Sequence, residues 1–150
     1  MQDAEKAVSL PEERRVKDAR KALVLLVDDC TDTREMYAEF LSASFDVIQA
    51  STATEALVKA SEFRPSAIVI DMMLPDMSGK DAIVILRRDS RTEHIPVVVV
   101  SGFAEPSGEP PAWNAYFVKP CHPDALSACL DRMIQDTTKS RTSKDDSMPD

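Results

Sequence analysis

Short, wholly apolar runs alternate with amphipathic segments along most of this chain. The runs Leu23–Val27, Ala67–Ile70 and Val97–Val100 are apolar at every position, which is typical of strands buried on both faces. Weaker strands are predicted at Asp46–Ala50 and Tyr116–Val118. Because strands and helical patterns alternate through five repeats, the sequence predicts an α/β fold, with a doubly wound five-stranded parallel sheet covered by helices on both faces.

The segments between these strands show helical signals. Capping boxes at Asp32–Glu35 and Thr52–Glu55 predict the starts of two helices. A third helix is predicted over Lys80–Arg88, and a last helix from Pro123, because proline suits the first turn of a helix. The apolar positions expected to face the core are Met36, Phe40, Leu41, Ala56, Leu57, Ala60, Ile83, Val84, Leu86, Leu126, Cys129, Leu130 and Met133.

Composition changes at both ends of the chain. Residues 1–20 are charged and interrupted by Pro11, so we predict an N-terminal extension. Residues 137–150 are almost free of apolar side chains, and we predict a disordered C-terminal tail. The predicted folded domain is therefore residues 21–136, within a chain of 150 residues that is long enough for one substantial core.

Charge and hydropathy disfavour several classes of function. The net charge is −8 and no basic stripe is present, whereas nucleic-acid binding depends on Lys and Arg contacts with phosphates. No apolar run is long enough to cross a bilayer, and the charged N-terminus is unlike a secretory signal. We therefore expect a cytoplasmic protein that neither inserts into a membrane nor binds nucleic acid directly.

The cysteines and histidines give no ligand pattern. Cys30, Cys121 and Cys129 are odd in number and form no CxxC pair, so neither a disulfide framework nor a zinc site is predicted. We expect reduced cysteines that fill space. His94 and His122 show no metal-ligand spacing and are assigned no role.

Polar residues follow the predicted strands directly. Asp28 and Asp29 follow the first strand, Asp71 the third, Ser101 the fourth and Lys119 the fifth. In open parallel sheets, ligands bind at the carboxyl ends of the strands, where the strand order reverses. A charge beside a buried strand is costly unless it is paired or used, so we expect these side chains to converge on one site.

This set of residues fits phosphoryl chemistry. Carboxylates that share a pocket repel one another, and Mg²⁺ relieves that repulsion through its preferred oxygen ligands. Asp71 is then a candidate nucleophile that would form an aspartyl phosphate. Lys119 would neutralise charge on the phosphoryl group, and the Ser101 hydroxyl would donate a hydrogen bond to it.

The chain resembles the receiver domain of response regulators in two-component signalling. The matching residues, between about Ala22 and Asp136, are the pair Asp28 and Asp29, the segment Asp71–Gly79, Ser101 with Gly102, and Lys119 with Pro120. The resemblance implies a flavodoxin-like sheet of strand order 2-1-3-4-5.

The same resemblance implies a role for each matching residue. Asp71 would be the phosphoacceptor, and Lys119 would pair with the phosphoryl group. Ser101 would be the switch hydroxyl, and Tyr116 the aromatic residue that turns inward when Ser101 moves. The Lys119–Pro120 peptide bond would be cis. The implied Mg²⁺ ligands are Asp28, Asp29, Asp71 and the backbone carbonyl of Met73.

Two features depart from the family pattern. Receivers usually have a fourth helix between the switch hydroxyl and the lysine, but Pro106, Pro110 and Pro111 disfavour a long helix there. We predict that this helix is shortened or replaced by a Pro-rich loop containing Trp113, which would remodel the face that reports phosphorylation. Bulky apolar residues, Met73 and Phe103, lie two positions beyond Asp71 and Ser101, and we predict slow self-dephosphorylation.

The sequence thus predicts a stand-alone receiver that takes a phosphoryl group from a histidine kinase or phosphotransfer protein and signals by protein contact. It would not be an enzyme beyond its own phosphorylation and dephosphorylation. The alternative is a pseudo-receiver scaffold that is never phosphorylated, although such scaffolds typically lack some of these residues. An aspartate-nucleophile phosphatase would need a second acid where Met73 stands, and a nucleotide-binding protein would need a glycine-rich loop.

Overall fold

The computed structural model describes residues 21–107 and 112–147, with side chains described to residue 138. The predicted extension, residues 1–20, lies outside the described residues. The described residues form the strands β1 Leu23–Val27, β2 Asp46–Ala50, β3 Ala67–Ile70, β4 Val97–Ser101 and β5 Ala115–Val118. They also form the helices α1 Thr31–Leu41, α2 Ala53–Phe63, α3 Gly79–Arg87 and α4 Pro123–Ser147.

The five strands make one parallel sheet of order β2-β1-β3-β4-β5, which confirms the predicted fold. The order reverses at β1, because β2 lies on one side of it and β3 on the other. Val27 at the end of β1 is in register with Ile70 at the end of β3. The residues that follow, Asp28 and Asp71, therefore leave the sheet side by side at the switch point.

Two apolar layers cover the sheet because successive strand residues point to opposite faces. Leu25 and Val27 of β1 pack in one layer with α2 and α3, and Val24 and Leu26 pack in the other with α1 and α4. Full burial of a side chain of this size contributes about 1.5–3 kcal/mol to stability. These layers fix the strand ends from which the polar side chains project.

Helix α1 differs from its sequence prediction. Its N-cap is Cys30, with no side-chain cap, so the predicted capping box at Asp32 is wrong. Met36 is 46% exposed and Phe40 39% exposed, so the predicted inner stripe is also wrong at these two positions. The side chains of α1 that are buried against the sheet are Tyr37, Ala38 and Leu41.

The starts of the other helices follow local chemistry. The Thr52 hydroxyl oxygen accepts a hydrogen bond from Glu55 N at 3.1 Å, which confirms the second cap, although the Glu55 carboxylate accepts from Ser51 N. Helix α3 begins after Ser78, whose side chain accepts from Asp81 N. The last helix begins at Pro123, as predicted.

Helix α4 continues to Ser147, beyond the predicted domain boundary at Asp136. The structure therefore has a helix over residues 137–147, where disorder was predicted. Residues 148–150 lie outside the described part. The reason is that this polar stretch contains no Pro or Gly, so nothing local ends the helix. Within residues 21–107 and 112–147, no helix is long and apolar enough to cross a membrane.

The described residues between β4 and β5 differ from the family pattern, which has a fourth helix there. The described residues between β4 and β5, 102–107 and 112–114, contain no helix, as the prolines predicted. Trp113 is buried in the layer beside α3, and its indole N–H donates to Glu105 Oε2 at 2.8 Å. Arg87 at the end of α3 donates to the Ala112 carbonyl and to Asn114 Oδ1. The loop is thus attached to the domain by specific contacts.

Candidate functional site

Three aspartates meet where β1 and β3 end. Carboxylate oxygens of Asp28, Asp29 and Asp71 all lie within 4.8 Å of one another. Asp28 is 5% exposed and Asp71 7% exposed, whereas Asp29 is open to solvent. The structure therefore brings together the acidic residues that the sequence placed at separate strand ends.

Lys119, at the end of β5, joins two of these acids. Its Nζ lies 2.9 Å from Asp28 Oδ2 and 2.9 Å from Asp71 Oδ2. Burial by itself would lower the pKa of Lys119, but the hydrogen bonds and charges of Asp71 and Asp28 outweigh that effect and raise it. Three carboxylates and one ammonium group leave a formal charge of −2, which favours a bound cation.

The two buried carboxylates are also oriented by backbone groups. Asp28 Oδ1 accepts from Cys30 N at 2.9 Å, and Asp71 Oδ1 accepts from Met73 N at 3.1 Å. Each carboxylate therefore has one oxygen held by its own loop and the other by Lys119. Such preorganisation lowers the cost of arranging charges around a transferring group.

Gly79 allows the backbone of the Asp71 loop to pass close to α3. Its N–H donates to the Met72 carbonyl at 2.7 Å. A Cβ at this position would lie 2.9 Å from Met72 Cα and 3.0 Å from the Asp71 carbonyl carbon, with the Asp71 carbonyl oxygen closer still. No separate role for this glycine is predicted from the sequence. Its position at a helix start, where Gly is a poor helix former, was the available signal.

Ser101 and Tyr116, the predicted switch pair, both contact the backbone of Phe103. Ser101 is fully buried on β4, the strand beside β3, and its Oγ accepts from Phe103 N at 3.3 Å. The Tyr116 hydroxyl donates to the Phe103 carbonyl at 2.9 Å. Lys119 N donates to the Ser101 carbonyl, which links β4 to the lysine.

The remaining predicted positions flank this arrangement. Met73 and Phe103 are each 59% exposed. The Lys119–Pro120 peptide bond is cis, as the resemblance implied. The Met73 carbonyl as a metal ligand and the switch roles of Ser101 and Tyr116 stay predictions.

Arg34 and Asp76 also support the site, although no role was predicted for them from the sequence. Arg34 Nη1 donates to the Asp28 carbonyl at 2.8 Å, and its Nε donates to Gln49 Oε1. The Asp76 carboxylate accepts from the N–H groups of Ala53 and Thr54 at 2.8 Å each, which ties the loop after Asp71 to the start of α2. The Asp76 contacts span 22 and 23 residues and the Arg34 contact with Gln49 spans 15, so no local pattern indicated these roles.

Comparison with known proteins gives a consistent result. Residues 24–131 match the family model described as the response regulator receiver domain. The polar-differentiation response regulator DivK of Brucella anthropi is 34% identical over 82 residues, covering 54% of this chain and 67% of that protein. A protein-glutamate methylesterase/protein-glutamine glutaminase of Bacillus licheniformis is 38% identical over 85 residues, but the chain spans only 23% of its length.

Solved structures agree with this assignment. The chemotaxis response regulator CheY4 of Vibrio cholerae is 28% identical, with a TM-score of 0.67, covering 75% of this chain and 98% of that one. A sensor protein from Polaromonas sp. JS666 is 31% identical, with a TM-score of 0.72, covering 79% and 98%. The family match includes the three aspartates, β4 with Ser101, and Lys119. The chain therefore belongs to the response regulator receiver domain family of two-component signalling.

Proposed function

We propose that Asp71 accepts a phosphoryl group from the phosphohistidine of a histidine kinase or phosphotransfer protein. The observation that carries this proposal is the position of Asp71 Oδ2, which lies 2.9 Å from Lys119 Nζ within a cluster of three carboxylates. In the transfer, an oxygen of the Asp71 carboxylate attacks phosphorus. The bond from phosphorus to the histidine nitrogen breaks, and the nitrogen keeps the electron pair.

The donor set fits Mg²⁺. The side-chain donors are carboxylate oxygens, which are hard ligands, and Asp29 keeps one side of the cluster open to water. Asp28, Asp29 and Asp71 would hold the ion, together with the backbone carbonyl of Met73. When bound, Mg²⁺ supplies positive charge to the phosphoryl oxygens.

Lys119 supplies the second positive group. Because its ammonium already contacts Asp71 Oδ2, it is close to the oxygens that a phosphoryl group on Asp71 would carry. The contact with Asp28 holds the ammonium at this position before transfer. Lys119 thereby compensates charge without a large rearrangement at the moment of reaction.

Phe103 would transmit the effect of phosphorylation from Ser101 to Tyr116. If the Ser101 hydroxyl turns to donate to a phosphoryl oxygen, its contact with Phe103 N is lost. Tyr116 is held by the carbonyl of the same residue, so a change at Phe103 would alter the packing of Tyr116 against Trp113, whose ring centroid is 5.6 Å away. Phosphorylation would then shift the population between two packings of the Pro-rich loop, and a protein partner would bind one of them more tightly than the other.

The test is phosphorylation by acetyl phosphate with and without Mg²⁺, followed by intact mass. We expect wild type to gain one phosphoryl group only when Mg²⁺ is present, and Asp71→Asn to gain none. Asp46→Asn is the matched control, because Asp46 is an exposed aspartate at the opposite end of the sheet, and it should behave as wild type. Equal modification of Asp71→Asn and wild type would reject Asp71 as the phosphoacceptor. No modification of either protein would reject the proposal and favour the scaffold alternative.

A further inference from the structure

A buried hydrogen bond joins α1 to the loop that follows β5. The Tyr37 hydroxyl donates to the Cys121 carbonyl at 2.7 Å, across a separation of 84 residues. Tyr37 is 4% exposed, and both residues belong to the apolar layer formed with α4. Burial is the main cause that raises the pKa of Tyr37, so the hydroxyl remains a donor at neutral pH. Loss of the donor would leave a buried acceptor without this partner, so the bond restrains the Cys121 carbonyl.

Lys119 is the first residue of this loop, directly after β5. On its N-terminal side, Lys119 is fixed by the bond from its own N–H to the Ser101 carbonyl. On its C-terminal side, the nearest restraint outside the loop is the bond from Tyr37 to Cys121, two residues further on. The backbone of Lys119 is therefore held between β4 and α1.

The same helix also holds the acidic side of the site. Arg34, one turn before Tyr37, donates to the Asp28 carbonyl at 2.8 Å. Helix α1 thus contacts the backbone of both loops whose side chains meet in the pair of Lys119 with Asp28. A rigid helix that bridges two loops fixes the distance between them.

We propose that Tyr37 is a positioning residue for the phosphorylation of Asp71, because its bond to Cys121 aligns the Lys119 loop with the acidic loop through α1. This inference rests on the proposed function. Tyr37→Phe keeps the ring in the apolar layer and removes only the hydroxyl, so the loop loses its restraint while the core stays filled. Asp28 and Asp71 keep the hydrogen bonds from Cys30 N and Met73 N on their own loops, so Mg²⁺ binding should change little.

The experiment measures the rate of phosphorylation by acetyl phosphate over a range of Mg²⁺ concentrations. For Tyr37→Phe, we expect the maximal rate to fall about three- to tenfold, the range that follows from the loss of one hydrogen bond. The Mg²⁺ concentration for half-maximal rate should stay within about twofold of wild type, since only the lysine side is disturbed.

Thr92→Val is the matched control. The Thr92 hydroxyl donates to the Leu86 carbonyl at 2.7 Å and is also buried, but Thr92 lies in the turn after α3, away from the lysine loop. Assays are run below the unfolding temperature of each variant, and Thr92→Val should keep the wild-type maximal rate. The inference is overturned if Tyr37→Phe matches wild type, if Thr92→Val loses as much, or if the Mg²⁺ requirement rises in step with the rate loss. Failure of wild type itself to be phosphorylated would instead reject the proposed function.

Discussion

Adding one methyl group at Gly79 tests whether the Asp71 loop is as tightly packed as its geometry indicates. In Gly79→Ala, the new Cβ would meet backbone atoms of Asp71 and Met72 at or below 3.0 Å, and backbone gives way less readily than a flexible side chain. Overpacking of this kind costs about 1–3 kcal/mol. The better helix propensity of Ala returns at most about 1 kcal/mol. The difference is about 0–2 kcal/mol. Because the atoms met are backbone and the Asp71 carbonyl oxygen is the nearest of them, we expect the upper half of this range, a net loss of about 1–2 kcal/mol in the free energy of unfolding.

Urea unfolding followed by circular dichroism measures this loss. With a slope of about 2 kcal/mol per molar urea, the midpoint should fall by about 0.5–1 M. Gly102→Ala is the matched control, because a Cβ there meets nothing within 4 Å. It should be neutral or stabilising by up to about 1 kcal/mol. The rate of phosphorylation of Gly79→Ala should also fall in buffer without urea, in which the variant is fully folded. The reason is that the shifted backbone atoms include those of Asp71. If Gly79→Ala is as stable as Gly102→Ala, the close backbone approach is not real.

Two other predictions concern the loop after Asp71 and the lifetime of the phosphorylated state. Hydrogen bonds from the Thr54 hydroxyl, Thr54 N and Ala53 N lower the pKa of Asp76 to about 2, so its stabilising contribution is complete above its usual pKa and is lost as pH falls towards 2. Thermal unfolding should show Asp76→Asn below wild type at pH 7 and the gap closing between about pH 4 and 2; a gap that persists unchanged at pH 2 argues against this carboxylate cap. The apolar, exposed side chains of Met73 and Phe103 offer no hydrogen bond to an attacking water, so we expect Met73→Asn with Phe103→Ala to lose its acyl phosphate about three- to tenfold faster than wild type. Decay of the phosphorylated protein by intact mass checks this, and faster decay in wild type would contradict it.

The described part of the Pro-rich loop changes the surface between β4 and β5. A helix between β4 and β5 would present a periodic surface, whereas the described part of this segment presents a loop held by Trp113, Asn114 and Arg87. Asn114 Oδ1 accepts from both Val97 N and Arg87, so the return of the loop to β5 is fixed at the opposite end of β4 from Ser101. This side of the domain therefore has a different surface from the one that a helical fourth segment would offer.

The strands and the location of the site could be predicted from sequence because both depend on simple patterns. Fully apolar runs such as Val97–Val100 are stable only where both faces are buried, which requires a central parallel strand. Since the carboxyl ends of parallel strands lie at one edge, residues that follow such runs must converge, as Asp28, Asp71 and Lys119 do. The prolines after Ser101 excluded a long helix for an equally local reason, the missing N–H and the fixed φ.

Tertiary packing decided what local patterns left open. Helix α1 contains two apolar pairs at helical spacing, Met36 with Phe40 and Tyr37 with Leu41. Only packing against the sheet selects the second pair as the buried face of the helix. That choice of face brings the Tyr37 hydroxyl to a carbonyl 84 residues away and Arg34 to the carbonyl of Asp28. The sequence by itself determined which charged groups meet, because strand ends are set by hydrophobic runs. How firmly their loops are held depends on contacts between distant residues, and these exist only once the chain has folded.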